Sequence, residues 1–309
     1  MCRDATAVTH SGPEEYARHV LPFVAAAWLA ATRITQSPEA ARCLVRTGEF
    51  SHGELVLPLR VELAVDTVDG WTAVQSAISR KERAHHRRVT RTLSPSFSRE
   101  EGWSDVERFY ETMYLPTMAS LHGDYARVMT RETLDDEFAL GRVTLLQMQV
   151  DGAIVAGALA LRDDTRKVLT GRLLGVVGGR AELRKLGVFD VLYFELLRMA
   201  ADTGYGSFNM SGGEPFLSSG TLQHKRRYGA HVTAAPGPLG EAGITLEFSG
   251  SRTVANQFLF DNPFLARGAG GQLVPYYFHD QNTGPRLELR PPRDCTPPVV
   301  VDVDLERPF

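Results

Sequence analysis

The sequence predicts a mixed α/β fold, and three observations support this prediction. Hydrophobic residues make up 43% of the 309 residues, which is enough for a full core. Near the middle of the chain two apolar runs flank an Asp-Gly pair at 151–152, the pair preferred in the type I′ turns of β-hairpins. Residues 188–203 then carry apolar side chains at helical spacing, and Gly204 is placed to cap that helix.

The N-terminal part of the chain contains a smaller set of predicted elements. Residues 13–31 suit a helix, and residues 42–47 and 54–65 have the alternating or continuous apolar pattern of strands. Residues 71–91 are predicted to form one long helix that begins apolar and ends strongly cationic.

The central part has the densest pattern of predicted elements. Helices are expected over 104–120 and 131–140, followed by a three-stranded meander over 143–150, 153–161 and 167–177, in which Gly157 predicts a bulge. After the helix at 188–203 come a strand at 207–210, a helix at 216–228 and a strand at 231–235. The pattern then weakens to strand candidates at 244–248, 272–278 and 298–303. We therefore expect an N-terminal half at 1–95, a core at 96–235 and a C-terminal segment at 236–309 that wraps the core.

Charge and cysteine content narrow the class of protein. A net charge of −3 provides no global basic field for a polyanion, so nucleic acid would need a local patch. Cys2, Cys43 and Cys295 lack metal-ligand spacing, and their odd number in a long chain argues against a disulfide framework. The most apolar stretch, 20–31, is short of the roughly 20 residues that a membrane span needs. We expect a cytoplasmic protein without a metal and without a membrane partner.

Three local motifs indicate a family. They are Ser-Arg-Lys-Glu-Arg at 79–83 with Arg87 and Arg88, Ala-Ala-Asp-Thr-Gly at 200–204, and Leu-Gln-His-Lys-Arg-Arg-Tyr-Gly-Ala at 222–230. With the order of elements around them, residues 71–235 resemble the GNAT superfamily and its FemAB-like acyl and aminoacyl transferases. The resemblance implies a GNAT-like fold with a smaller N-terminal half and an acyltransferase activity. In the family a Phe usually precedes the motif Lys, and His224 replaces it here.

The resemblance leaves two acyl donors open. GNAT enzymes that use acetyl-CoA typically carry an Arg/Gln-x-x-Gly-x-Gly/Ala turn whose backbone N–H groups hold the pyrophosphate. The corresponding residues 178–187 do not match that spacing. FemAB-like enzymes draw on aminoacyl-tRNA, and this donor is narrowly favoured, with acyl-CoA as the alternative. Either molecule is a co-substrate, and no permanently bound cofactor is expected.

Acyl transfer to an amine needs a positive group for the developing oxyanion and a base for the amine. The resemblance places a cation at Lys225; the alternative is a charge on a solvated helix face. Glu214 is a candidate base, or else a charge at a helix N-terminus. Asp124 follows His122 by two residues, and the two form a candidate proton relay, or else an ordinary exposed turn.

Two groups of residues are candidates for donor or acceptor binding. The cations are favoured for phosphate contact, although one helix face carrying them could instead pack; they are Arg80, Lys81, Arg83, Arg87 and Arg226. The second group follows a predicted strand, where open sheets bind ligands, or forms an ordinary turn that needs positive φ; it comprises Asn209, Ser211, Gly212 and Gly213.

The sequence therefore predicts transfer of an activated aminoacyl or acyl group to an amine, or a similar nitrogen nucleophile, of a small molecule. tRNA is the predicted macromolecular partner if aminoacyl-tRNA is the donor. Two alternatives stay open: an acyl-CoA-dependent N-acetyltransferase, and a non-catalytic GNAT-like protein that binds a ligand or tRNA. A hydrolase is not favoured, because no Gly-x-Ser-x-Gly motif surrounds Ser211.

Overall fold

A computed structural model describes residues 41–46, 55–123, 126, 128–235, 243–248, 252–268 and 271–304. The predicted helix at 13–31 and the candidate Asp124 lie outside these residues. By its contacts the chain forms two units: unit 1 comprises Met1–Leu63, Gly212–Arg226 and His231–Phe309, and unit 2 comprises Ala64–Ser211 and Arg227–Ala230. Because each unit combines separate stretches, this division does not test the three contiguous ranges predicted from the sequence.

Strands and helices are numbered in chain order. The strands are β1 (Ala41–Arg46), β2 (Leu57–Pro58), β3 (Val61–Asp66), β4 (Ser96–Glu100), β5 (Val143–Val150), β6 (Ala153–Asp163), β7 (Val168–Val176), β8 (Ser207–Gly213), β9 (His231–Ala234), β10 (Gly243–Phe248), β11 (Phe264–Arg267), β12 (Leu273–His279) and β13 (Val299–Asp302). The α-helices are α1 (Gly70–Ala77), α2 (Arg80–Leu93), α3 (Trp103–Phe109), α4 (Leu115–His122), α5 (Arg131–Ala139), α6 (Ala181–Lys185), α7 (Val188–Asp202), α8 (Gly220–Arg226) and α9 (Arg252–Asp261). A π-helical turn, Tyr110–Tyr114, joins α3 to α4, and a 3₁₀ turn, Val177–Gly179, precedes α6.

Unit 2 contains a mixed sheet in the order β4-β5-β6-β7-β8-β3. The pairs from β4 to β7 are antiparallel, and β8 joins β7 in parallel. At the hairpin turn Asp151 and Gly152 have φ of 51° and 76°, the two positive angles that a type I′ turn requires. The predicted mixed α/β class and the meander are confirmed.

The face of this sheet that carries Val143, Leu145 and Leu159 packs on the helical run from α3 to α4, including Phe109. A Cβ added at Gly157 would lie 2.8 Å from the Phe109 ring. The predicted bulge at Gly157 is wrong, because the register shifts lie at Met148/Gln149 and at Leu159/Ala160. Glycine at this position instead provides room for an aromatic ring.

The predicted single helix over 71–91 is wrong, because α1 ends at Ala77 and α2 begins at Arg80. Ser79 is the N-cap of α2, and its side chain accepts a hydrogen bond from the Glu82 N–H at 3.3 Å. Ser-x-x-Glu is the capping-box pattern, and it separates the apolar helix from the cationic one. The capping-box pattern is visible in the sequence, but the continuous helical spacing on both sides of it favours a single helix.

Unit 1 contains two small sheets, β1-β10-β2 and β11-β12-β13. Its buried apolar cluster includes Leu57, Phe216, Phe258, Phe264 and Phe278. Helix α9 was not predicted, and the predicted helix over 216–228 is confined to α8, which begins at Gly220. Within the described part of the chain, none of the helices has the length and hydrophobicity needed to cross a bilayer.

Candidate functional site

Strands β7 and β8 pair only where they begin. The parallel pairing joins Val168–Thr170 to Ser207–Asn209, and β7 continues to Val176 while β8 continues to Gly213. Among the described strands, the later part of β7 therefore has a paired neighbour, β6, on one edge alone. Backbone groups on the other edge face the place where the two parallel strands separate, which is a suitable position for an extended ligand.

The unit 2 residues at the end of β8 form a polar turn. Ser211 has a positive φ of 62°, which is uncommon for a residue other than glycine. Asn209 Oδ1 accepts a hydrogen bond from the Ser211 N–H at 2.7 Å, and Ser211 Oγ donates to the Gly171 carbonyl at 2.8 Å. The predicted positive φ is therefore at Ser211, while Gly212 and Gly213 do not have it.

Gly212 and Lys225 meet in unit 1. The Lys225 ammonium Nζ donates to the Gly212 carbonyl oxygen at 3.2 Å. A Cβ at Gly212 would lie 2.6 Å from the Val61 carbonyl oxygen and 2.5 Å from Arg60 Nε, whereas a Cβ at Gly213 would meet open space. Glycine is thus needed at 212 for close backbone approach, and two separately predicted candidates, Lys225 and Gly212, are brought together.

Lys225 is buried, with 5% of its surface exposed, so its alternative interpretation as a solvated charge is wrong. The pKa of Lys225 is lowered to about 7, mainly by burial and also by repulsion from Arg60, while attraction to Glu62 partly opposes both. A buried lysine whose pKa lies near neutrality changes its protonation at physiological pH, as catalytic lysines do. Arg60 and Glu62 were not identified from the sequence, because only the fold brings β3 near Lys225.

The other unit 1 candidates have different surroundings. Glu214 is half-buried directly after β8, six residues before α8 begins, so its interpretation as a charge in the first turn of that helix is wrong. Arg226 is half-buried, and its Nε donates to Gln223 Oε1 at 3.1 Å.

The predicted cationic segment forms α2 in unit 2. Its exposed face carries five cations, and the single acid of the segment, Glu82, is buried and accepts from Arg227 at 3.3 Å; the cations are Arg80, Lys81, Arg87, Arg88 and Arg91. Arg83 is directed elsewhere, since its guanidinium donates to the carbonyls of Gln75 and Ser76 at the end of α1. Arg83 shares the helix face of Arg80 and Arg87 by its spacing, but its guanidinium satisfies the C-terminus of α1 and is therefore already engaged.

A hydrogen-bonded network that sequence reasoning missed connects α2 to α7. His85 Nε2 lies 3.1 Å from Asp190 Oδ2, and the Tyr228 hydroxyl donates to Asp190 Oδ1 at 3.0 Å. Arg88 donates to His85 Nδ1 at 2.8 Å. Tyr228 belongs to the 222–230 motif, which is the one signal in the sequence that could have indicated this network.

The start of α7 is occupied by the protein's own groups. Gly187 has a φ of 89°, and a Cβ there would lie 2.6 Å from His85 Nε2. The Asp190 carboxylate lies in the first turn of α7, where negative charge is favourable. A phosphate at this helix terminus would meet that carboxylate.

Among the residues that the structure describes, no group of three or more His, Cys, Asp or Glu side chains is arranged to hold a metal ion. His86 lies next to His85 but stacks on the Phe194 ring, with centroids 3.9 Å apart. Burial and the nearby Arg198 lower the pKa of His86 to about 4. His86 is therefore a neutral packing residue at physiological pH.

Comparison with known proteins gives one family. Residues 73–226, about half of the chain, match the family described as acetyltransferase (GNAT) domain. No curated protein matches the sequence. Solved structures that the chain matches include FemX, with a TM-score of 0.48, 10% identity and coverage of 66% of this chain and 66% of that chain. L-PGS from Bacillus licheniformis matches with a TM-score of 0.39, 15% identity and coverage of 70% of this chain and 64% of that chain. A probable N-acyltransferase from Enterococcus faecalis V583 matches with a TM-score of 0.33, 10% identity and coverage of 85% of this chain and 58% of that chain.

The chain spans less than two thirds of the length of these solved structures, and their TM-scores lie below 0.5. The assignment therefore rests on the family match and on the element order that the structure shows, in which a meander is followed by a helix and a parallel strand. The chain belongs to the acetyltransferase (GNAT) domain family.

Proposed function

We propose that this protein transfers an activated aminoacyl or acyl group to an amine, or a similar nitrogen nucleophile, of a small molecule. The observation that carries the proposal is Lys225, a buried lysine at the Gly212 end of β8 with a pKa near 7. In acyl transfer the carbonyl oxygen of the donor gains negative charge, and a cation in water-poor surroundings stabilises that charge strongly. Lys225 is the electrophilic group in this proposal.

The acceptor amine must lose a proton to attack the carbonyl carbon. Glu214 is the carboxylate we assign to this step, since it follows β8 directly and is half-buried. The proton passes from the amine to the carboxylate, the new amide bond forms, and the donor's leaving group departs. No covalent enzyme intermediate is needed.

For the donor we propose aminoacyl-tRNA, with acyl-CoA as the second candidate. Two observations favour tRNA: α2 presents five exposed cations without an exposed acid between them, and the start of α7 carries Asp190 and His85 in place of an open pyrophosphate turn. Acyl-CoA is favoured by the family match, which is to acetyltransferases.

The test of the electrophilic role is the Lys225→Ala variant, assayed for transfer of a radiolabelled acyl group. By analogy with the loss of one oxyanion donor, we expect kcat to fall roughly 10²- to 10³-fold. Lys167→Ala, which removes an exposed lysine in the turn between β6 and β7, is the matched control and should retain wild-type turnover. Unchanged turnover in Lys225→Ala excludes the role.

The donor is tested by supplying charged tRNA, with and without RNase, and separately acyl-CoA. Loss of product after RNase treatment supports aminoacyl-tRNA, whereas product that forms only with acyl-CoA supports the second candidate. A wild-type protein that binds tRNA or coenzyme A but transfers nothing from any donor is a binding protein, and the proposed catalysis is then wrong.

A further inference from the structure

We propose that Asp190 and His85 are positioning residues, which hold the Arg88 guanidinium in place to bind a phosphate group of the acyl donor. The inference rests on the proposed function, because it concerns how the cationic face of α2 takes that donor. It assigns a role to a network that the chemistry at Lys225 does not use.

Arg88 differs from the other exposed cations of α2. Its guanidinium donates to His85 Nδ1 at 2.8 Å. Within the part of the chain that the structure describes, the remaining exposed cations of the helix make no side-chain hydrogen bond or ion pair; they are Arg80, Lys81, Arg87 and Arg91. Arg88 is thus held by a partner that carries no negative charge, and its own charge is still available to an anion.

The hydrogen bonds define the tautomer of His85. A guanidinium can only donate, so His85 Nδ1 must accept and the neutral ring must carry its proton on Nε2. That N–H donates to Asp190 Oδ2 at 3.1 Å. The carboxylate therefore selects the tautomer whose other nitrogen can receive Arg88, as carboxylates do for catalytic and metal-binding histidines.

The network is anchored in the interior of unit 2. Asp190 Oδ1 accepts from the hydroxyl of Tyr228, a side chain with no exposed surface. Gly187 provides the space for the His85 ring, since a Cβ there would lie 2.6 Å from Nε2. Both the carboxylate and the imidazole are consequently fixed, and the order extends outward to Arg88.

An ordered side chain loses less conformational entropy when it binds a ligand. Immobilising a long side chain costs enough to weaken affinity by roughly 2- to 12-fold, so Arg88 should contribute more to phosphate binding than an equally charged mobile arginine. Arg87, its neighbour on the same exposed face, is the matched comparison.

The experiment measures binding of two phosphate-bearing probes, unfractionated tRNA and coenzyme A, to the full chain. We expect His85→Ala to weaken binding roughly 2- to 12-fold, and the double variant with Arg88→Ala to bind as Arg88→Ala does. His85→Ala combined with Arg87→Ala should give independent, multiplicative losses. Arg88→Lys keeps the positive charge but removes the guanidinium. If this variant binds the probes more weakly than the wild type does, the positioned guanidinium contributes to binding beyond its charge.

A spectroscopic readout separates positioning from a general loss of structure. In ¹⁵N NMR spectra we expect His85 of the wild type to be the Nε2–H tautomer, and Asp190→Asn to shift it toward Nδ1–H and to weaken binding as His85→Ala does. Thermal unfolding of each variant verifies that it is folded.

The two probes distinguish the source of the phosphate. If the double variant binds tRNA, but not coenzyme A, as Arg88→Ala does, the phosphate belongs to the nucleic acid. The same result with coenzyme A alone indicates the coenzyme. Independent effects of His85 and Arg88 with both probes, or no binding of either probe by the wild type, overturn the proposal. Because the assay measures binding, a failure of transfer at Lys225 leaves its result standing.

Discussion

Replacing Lys225 by methionine should make the protein more stable at neutral pH while it removes the proposed electrophile. The fall in the pKa of Lys225 from 10.5 to about 7 corresponds to roughly 5 kcal/mol of destabilisation of the charged folded state, at about 1.4 kcal/mol per pKa unit. Methionine has a similar length and removes this cost. It also leaves the Gly212 carbonyl without its Lys225 donor, which costs about 1–3 kcal/mol. Below pH 7 the free energy of unfolding of the variant should therefore exceed that of the wild type by roughly 2–4 kcal/mol.

The sign of this effect reverses with pH. Between pH 7 and 10.5 the unfolded chain binds more protons at Lys225 than the folded chain does, so the wild type gains stability as pH rises through this window. Near pH 10.5 the burial cost has vanished and the lost hydrogen bond remains, so the variant becomes the less stable protein.

Urea unfolding of both proteins from pH 6.5 to 10.5 measures this difference, with Lys185→Met as the control for an exposed lysine. The control should show no comparable pH-dependent difference from the wild type. A Lys225→Met variant that is less stable than the wild type at pH 7, by an amount that stays constant to pH 10.5, would refute the reasoning.

Three further predictions concern the fold around the site. Gly157→Ala should lower the free energy of unfolding by about 1–3 kcal/mol in urea titrations, because its Cβ would lie 2.8 Å from the Phe109 ring, whereas Gly220→Ala, where the Cβ meets open space, should be close to neutral. Ser79→Ala should cost about 1 kcal/mol through loss of the α2 N-cap, measured the same way, and a change within error would show that the cap is unimportant. Ser211→Gly should be more stable than Ser211→Ala by about 1 kcal/mol, since both lose the hydroxyl but glycine also relieves the positive φ; equal stabilities would contradict this strain.

Much of the unit 2 fold was predictable because its signals are local. The Asp-Gly turn, the apolar runs that form strands beside it and the apolar spacing of α7 each depend on residues close in sequence, and all three were confirmed. The break between α1 and α2 was missed because a continuous helical spacing masked a single capping serine. Helix α9 was missed because the glycines and prolines around it indicated only short strands.

The candidate site was predictable only in part. The 222–230 motif led to Lys225, and the structure brings it to Gly212, a contact that the sequence did not predict. Arg60 and Glu62, which act on the charge of Lys225, precede it by more than 160 residues, and no spacing rule connects them. The role of Arg83 was also hidden, because its carbonyl partners exist only where α1 ends.

The sequence by itself determined most element types of unit 2 and the identity of the charged segments, because hydrophobic periodicity and turn chemistry act over a few residues. Tertiary structure alone decided which of those charges are solvated. Arg87 stays in water, whereas Lys225, with the same formal charge, is buried and has a pKa near 7. The physical reason is that desolvation and the repulsion from Arg60 depend on what surrounds a group in space, and residues distant in sequence supply those surroundings.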